Sequence, residues 1–550
     1  MKQGQTTTAL ICCLWGLLIA SFASAQCVQN DWYSHSASLP AGSVGAAAQN
    51  PSIHFTDDGQ FIYTVTEYSG VSELYFDGDL VQPNLCGGPG RGVIIQKFNT
   101  SGGLVWRKIM CWAFGLVQGN AVDDTDALYI GGYFRGSLSL ESNELDYVAP
   151  PGTGYYLLRL LPNGDLDWVE TGDQSIVIGL EWTGDGLLFM LGVSDTVSYR
   201  GVSYTSPEPS MSRDWLVFKT SSSGDVIWND AITGSNVEMI YDVVCHDGVC
   251  LVQGRFEEDV KYEGEELTGS AIGQLFQLAL RSSDGQKVWM NQQDNSCCIV
   301  HTHGAEVLED TLVMSSGYYV GSPPTFTIDG QTIVAQGGAD GYLLLQNFQT
   351  GEVYWLNSIG GNGLDGVISM AKTNTGAVLA GFFDSPSINY QGLVLENHSL
   401  LNDPFIIVVD KEGKPSCQIQ DLGTPAADAM GSISCHGNEI ACALGSSDST
   451  AFGQFTLTSV GGGDLVLWKT CLPCDTLTSL AETTGAQPML QVYPNPLTTN
   501  TQLVYQTPQG VKPMLRLIDV RGRVVQSVQL PSHEGTYVLD ATELGMGVYF

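Results

Sequence analysis

Positive charge is what this 550-residue chain most lacks: 22 lysines and arginines stand against 58 aspartates and glutamates, a net charge of −36. Such a surface repels phosphate backbones and anionic membranes, which excludes nucleic acid as a partner. The acidity reads as a solvated coat that keeps an exported protein dispersed, not as a dedicated cation site. Histidine is scarce as well, eight in all and scattered, and no G-x-S-x-G, H-E-x-x-H or P-loop string occurs. No catalytic residue, cofactor-binding residue or metal ligand set is therefore assigned. Long apolar runs are missing after the N-terminus, so no integral membrane segment is expected once the leader is removed. A periodic helical pattern is missing too.

The leader is the one apolar run. Lys2 gives a weak positive start, Ala9–Phe22 is too short to span a bilayer comfortably, and Ala23-Ser24-Ala25 is a small-x-small cleavage signal. Residues 1–25 are read as a signal peptide and 26–50 as an N-terminal extension. Cys27 lies near the cut, but the preceding Ser24-Ala25-Gln26 is not a lipobox, so lipidation is not expected. Export to an oxidising compartment makes the cysteines outside the leader disulfide candidates. Cys245–Cys250 and Cys435–Cys442 each bracket a Gly-containing turn between short apolar strands, and each pair is expected to tie a hairpin. Cys471-Leu-Pro-Cys474 has no thioredoxin-like surroundings and reads as structural. The spacing leaves Cys27, Cys86, Cys111, Cys297, Cys298 and Cys417 unassigned.

What the sequence does contain is a repeat. An apolar run, a polar turn ending in Gly and a short step to a Trp occur as Val93–Trp106, and recur to end at Trp168, Trp228, Trp289 and Trp355, about every sixty residues. A sixth copy puts Cys417 at the Trp position. A seventh begins at Asp464 and loses its turn. Each copy is followed by a second strand signal such as Leu128–Phe134, Leu187–Val193 or Ala377–Phe383. Short segments such as Val202–Ser206 and Phe326–Ile328 are expected to supply further strands. Four strands and no helix per copy is the content of a propeller blade. The reading is an all-β chain: a β-propeller of about seven blades over residues 51–480, whose first and last copies complete one blade from both termini and so leave no open edge. A polar linker follows at 481–487, and residues 488–550 form a second, small β-domain.

Two resemblances attach to these segments. Asp214-Trp-Leu-Val-Phe-Lys219 through Gly224 to Trp228, with Asp340, Asp403 and Asp464 leading other copies, resembles the SBBP-type β-propeller repeat of bacterial extracellular proteins. That family implies a fold and an exported location, and no reaction. The turn and Trp are also similar to those of quinoprotein propellers, whose tryptophans dock neighbouring blades. Those enzymes have eight blades and a cofactor site with basic and calcium-binding residues, and no such constellation stands here. The C-terminal segment resembles the C-terminal sorting domain of the type IX secretion system, of the type A, YPNP-containing kind. The residues that carry the likeness are Tyr493-Pro494-Asn495-Pro496, Asp519-Val-Arg-Gly522-Arg523 and Leu544-Gly-Met-Gly547-Val-Tyr549-Phe550. It implies a small β-sandwich, the type IX secretion machinery as partner, and passage through the periplasm to the cell surface or medium. Family members run on into further strands, so this domain is expected to be incomplete at Phe550.

The remaining candidates for chemistry are few. Cys297-Cys298-Ile-Val-His301-Thr-His303 gathers four metal-capable side chains, with both histidines on one strand face. Oxidised cysteines beside two loop histidines explain it as well. Acid runs such as Glu257-Glu258-Asp259 and Glu263-Gly-Glu265-Glu266 suit a solvated surface better than a glycosidase. The expected function is a non-catalytic exported scaffold that presents its loops to a glycan, peptide or surface protein. The rival is a secreted hydrolase or lyase acting on glycans from the central channel. It would show perturbed acids or histidines at equivalent channel-facing positions.

Overall fold

The computed structural model describes residues 10–11, 32–38, 49–71, 74–76, 79–81, 90–140, 145–148, 153–207, 213–269, 273–294, 298–321, 324–397, 401–419, 429–446, 450–452, 455–457, 464–472, 489–493, 500–506, 514–518, 524–530, 534–540 and 548–549. All of the regular structure among the described residues is β, and the chain divides into two units, 27–475 and a smaller one of 1–26 with 476–550.

In the larger unit the described strands follow one another as four-stranded antiparallel meanders, the blades of a β-propeller. The third blade shows the pattern: Ser175–Trp182, Leu187–Val193, Asp214–Thr220 and Val226–Ile232, each paired to the next. The same order starts at Asn236, Cys298, Asp365 and Ala429. The first two blades share one 19-residue strand, Leu104–Val122, which is the outer strand of one and the inner strand of the other. Apolar residues fill both faces of the middle strands. Leu187–Val193 and Asp214–Thr220 are buried at every position, as the packing of a sheet between two neighbouring sheets requires.

The repeat Trp and the turn Gly are two halves of one joint. Trp106 donates its indole N–H to Pro162 O (2.9 Å), Trp168 to Ser222 O (2.9 Å), Trp228 to Ser282 O (2.8 Å) and Trp289 to Phe348 O (3.0 Å). Every acceptor belongs to the turn of the following blade. The turn glycine has positive φ, for example 76° at Gly285 and 77° at Gly351. A Cβ there would lie 2.8 Å from the indole of Trp228 or Trp289. The lysine opposite the Trp joins in: Lys219 Nζ bonds Ser282 Oγ (2.9 Å), and Lys97 Nζ bonds Pro162 O (3.3 Å). The leading aspartates Asp214, Asp340 and Asp403 open the third strand of their blades and are buried.

The structure differs from the sequence reading in three places. First, Val202–Thr205 and Thr325–Ile328 are not blade strands. They sit in two-stranded hairpins between the second and third strands, turned by Arg200-Gly201 and Asp329-Gly330, where both residues have positive φ. The Tyr that ends the first hairpin arm fastens it: Tyr199 OH reaches Gly224 O (3.1 Å) and Tyr262 OH reaches Gly285 O (2.7 Å). The blade strand not seen in sequence is the innermost one. Second, closure is three strands plus one. Trp32–Ser38, assigned to the N-terminal extension, pairs with Asp464–Cys471, and Trp32 stands opposite Lys469 as Trp228 stands opposite Lys219. The Trp absent from the seventh copy is thus supplied at backbone register from the other end of the chain. Third, Cys245–Cys250 is a disulfide, whereas Cys435 and Cys442 are both free. Both hairpins close with a two-residue turn, so Cys245 faces Cys250, but the two extra residues put Ile440 opposite Cys435 and Ile433 opposite Cys442. Cys111, Cys417 and Cys471 are also disulfide-bonded; Cys27, Cys86, Cys297 and Cys474 lie outside the described residues.

The smaller unit contains a three-stranded antiparallel sheet, Met489–Tyr493, Asn500–Gln506 and Glu534–Asp540, and a hairpin of Met514–Ile518 with Val524–Gln529. Leu10–Ile11 runs parallel to Val548–Tyr549. The rest of the expected signal peptide lies outside the described residues, as do Pro494, Asn495, Pro496, Asp519, Gly522, Arg523 and Gly547.

Two outcomes follow from the joints. Gly285→Ala, at positive φ and against the Trp228 ring, should lower the urea midpoint by ~1–3 kcal/mol equivalent, and Trp228→Phe in the same chain should be non-additive with it. Deleting residues 32–38 exposes the 464–471 edge, so the shortened chain should melt lower and self-associate in light scattering.

Candidate functional site

The innermost strand of each blade has one edge paired and one edge turned to the axis of the propeller, so its outward N–H groups have no ladder partner. Side chains from the preceding blade accept them. Ile433 N donates to Ser369 Oγ (3.0 Å), Phe55 N to Ser434 Oγ (3.1 Å) and Cys245 N to a Glu181 carboxylate oxygen (3.3 Å). Val117 N donates to Glu67, Ala305 N to Asp242 and Lys372 N to Glu306. Asn120 Nδ2 reaches Ser52 Oγ (2.7 Å) between the first two blades. Each inner strand among the described residues carries a β-bulge, as at Ile178/Glu181, Ile240/Asp242 and Thr302/Gly304. The bulge re-aims the side chains toward the next strand.

Glu181, Asp242 and Glu306 come from three successive blades. Each keeps some accessible surface toward the channel while protein surrounds it. Burial pushes the Asp242 carboxyl up to about 7 against the N–H bonds that oppose the shift. Burial, and then the charge of Asp242, push Glu306 up to about 8. Burial also raises Glu181, with Asp242 and Glu306 adding to it. These are the perturbed channel acids that a hydrolase would show. Serines do the same bonding at two other junctions, which marks acceptance of the neighbour's N–H as their structural task.

Beside them lies a group of rings. Tyr318 stacks on His301 (4.7 Å between centroids, 21°) and on His303 (5.3 Å, 16°), and Tyr241 OH bonds His301 Nδ1 (3.2 Å). Burial lowers His303 to about 4 and lowers His301 as well, so both rings are neutral at physiological pH. Cys298 points the other way, buried with Val300 and Thr302, and its thiol bonds Thr325 O (2.9 Å). Strand alternation therefore separates Cys298 from the two histidines, and the metal reading of that stretch has no shared pocket among the described residues. No group of three or more His, Cys, Asp or Glu among the described residues is placed to hold a metal ion. Glu263 and Glu265 bond Lys287, and Asp259 and Glu266 pair with Lys261. Glu263 and Glu265 thus hold the hairpin to the outer strand of its blade, whereas the Asp259 and Glu266 pairs lie within the hairpin itself. None of the channel acids was singled out by the sequence; the available signal was a carboxylate in the bulged strand that follows each Trp.

The raised acids give stability a sign with pH. The folded chain holds these protons more tightly than the unfolded one, so this contribution is full near pH 4 and is lost as pH rises to about 8. Asp242→Asn with Glu306→Gln keeps an acceptor oxygen at both sites. The pair should raise the melting temperature at pH 8, leave it unchanged at pH 4, and flatten the decline between them in a differential scanning calorimetry series.

No helix among the described residues is long and apolar enough to cross a membrane. Comparison with curated proteins returns no match. Among solved structures the chain is similar to a quinohemoprotein alcohol dehydrogenase from Pseudomonas putida, at 11% identity over 85% of this chain and 79% of that one, TM-score 0.35. The enzyme of the same name from Comamonas testosteroni gives 9%, 80%, 77% and 0.37. A Synechocystis apocarotenoid oxygenase gives 8%, 70%, 91% and 0.29. Residues 491–550 match the secretion system C-terminal sorting domain, which implies export of the chain to the cell surface or medium and contact with that secretion machinery.

Proposed function

We propose that the chain is an exported, non-catalytic β-propeller of about seven blades, built from SBBP-type repeats, that offers its loops to an extracellular glycan or protein. A cleaved signal peptide over 1–25 takes it to the periplasm. The propeller over 51–480, joined by 481–487 to the sorting domain of 488–550, is then handed to the type IX machinery through the YPNP-containing tail. One observation carries the non-catalytic reading. The channel carboxylates Glu181, Asp242 and Glu306 each accept a backbone N–H of the next blade, and the neighbouring histidines are neutral and stacked. Acids so engaged are parts of the ring, and no activated nucleophile stands beside them among the described residues.

A hydrolase or lyase acting on glycans is the second reading, favoured by the raised pKa values of the same acids. The two part on one experiment. The mature protein is incubated with panels of glycans and peptides while binding and product are followed together. Binding without product is the expected result; turnover of any panel member sinks the non-catalytic reading.

A further inference from the structure

Cations are the rare charge in this chain, so an arginine without a carboxylate is informative. Arg159 pairs with Asp123 and Asp167, Arg200 with Glu170 and Asp225, and Arg281 with Asp284. Arg135 and Arg213 have no carboxylate partner among the described residues, and both belong to one place. Arg213 lines a cavity of about 250 Å³ between the second and third blades, with Thr153, Gln174, Ser175, Gly192, Ser194 and the apolar Ile176. Arg135 holds Thr153 of that lining, Nε to Oγ1 at 3.0 Å. Each guanidinium rests over an aromatic ring, Arg213 over Trp215 (5.9 Å) and Arg135 over Phe114 (5.4 Å), which fixes its plane without neutralising its charge.

The cavity is also built. Gly192 admits the Arg213 side chain: a Cβ there would lie 3.3 Å from Arg213 Cδ and 3.2 Å from the Trp215 ring. Gln174 at the rim has φ of 54°, a left-handed conformation that a non-glycine residue keeps only where its surroundings impose it. The lining supplies hydroxyl and amide groups that both donate and accept, beside a guanidinium that only donates. Its volume lies below the ~300–1,000 Å³ of drug-sized sites, which limits the occupant to a single ring or a chain of similar size.

We propose that this cavity binds a small polyhydroxylated carboxylate of the uronic acid class, the carboxylate taken by Arg213 with Arg135 adding to the field and the hydroxyls taken by Thr153, Gln174 and Ser194. The assignment rests on the binding-protein reading above and gives it a ligand class. A carboxylate accepts two parallel N–H bonds from a guanidinium, which a neutral sugar cannot do.

The probe is galacturonic acid, titrated into the mature chain by ligand-observed NMR, with galactose as the neutral counterpart. The acid should bind at least about tenfold more tightly, with affinity falling as salt rises. Arg213→Gln and, separately, the exposed Arg135→Gln should each weaken it while leaving the melting temperature unchanged. Gly192→Ala, which displaces the Arg213 stem, should weaken it as well. Equal binding of acid and neutral sugar, no binding of either, or an acid preference that survives both arginine substitutions would overturn the site. Product in the same samples would instead sink the non-catalytic reading and leave the site standing.

Discussion

Every blade presents its neighbours with two problems: an inner strand whose axial N–H groups have no ladder partner, and an outer strand whose large ring needs a surface to close against. The structure answers both in the same direction around the ring: six described junctions pass a side-chain acceptor to the inner strand of the next blade, and Trp106, Trp168, Trp228 and Trp289 each pass an indole N–H to the turn of the next. Leaving one buried N–H unmade costs ~1–3 kcal/mol, so a ring with its junctions open would forfeit most of a typical margin of stability. Side chains that look like chemistry are explained first by this constraint. Glu181, Asp242 and Glu306 stand where Ser369 and Ser434 stand in other blades.

The outer half of this design was legible in the sequence and the inner half was not, for a physical reason. A Trp that must meet a Gly of positive φ in the next blade fixes both residues and their spacing, so Gly285 and Trp289 repeat as Gly351 and Trp355 do. The hairpins had a signal that went unused: Tyr199-Arg-Gly201, Tyr262-Glu-Gly264 and Tyr390-Gln-Gly392 share a two-residue turn of positive φ and an apolar Tyr before it. The inner strands hide because a bulge breaks their alternation, so Ser175–Trp182 and Cys298–Glu309 show neither period. Trp32 hides because its partner strand lies at the other end of the unit.

The candidate sites divide along the same line. Residues that repeat serve the ring, whereas residues that do not are free to serve a ligand. Arg213 and Arg135 occur once and carry the minority charge; Arg213 lines a cavity and Arg135 bonds Thr153 of its lining. The histidine and tyrosine rings at His301, His303 and Tyr318 occur once as well, yet they are neutral and stacked on one another, which makes them part of the channel wall. The tail matched at residues 491–550 accounts for delivery and is silent on what the propeller holds.

Amide hydrogen exchange at the inner-strand edges tests the account most directly. The N–H groups of Phe55, Cys245, Ala305, Lys372 and Ile433 belong to unpaired sheet edges and would exchange quickly if water were their partner. Protection close to that of the middle strands, such as Leu187–Val193, is the result expected of a ring sealed by its own side chains. Exchange at the rate of a solvated edge would contradict it.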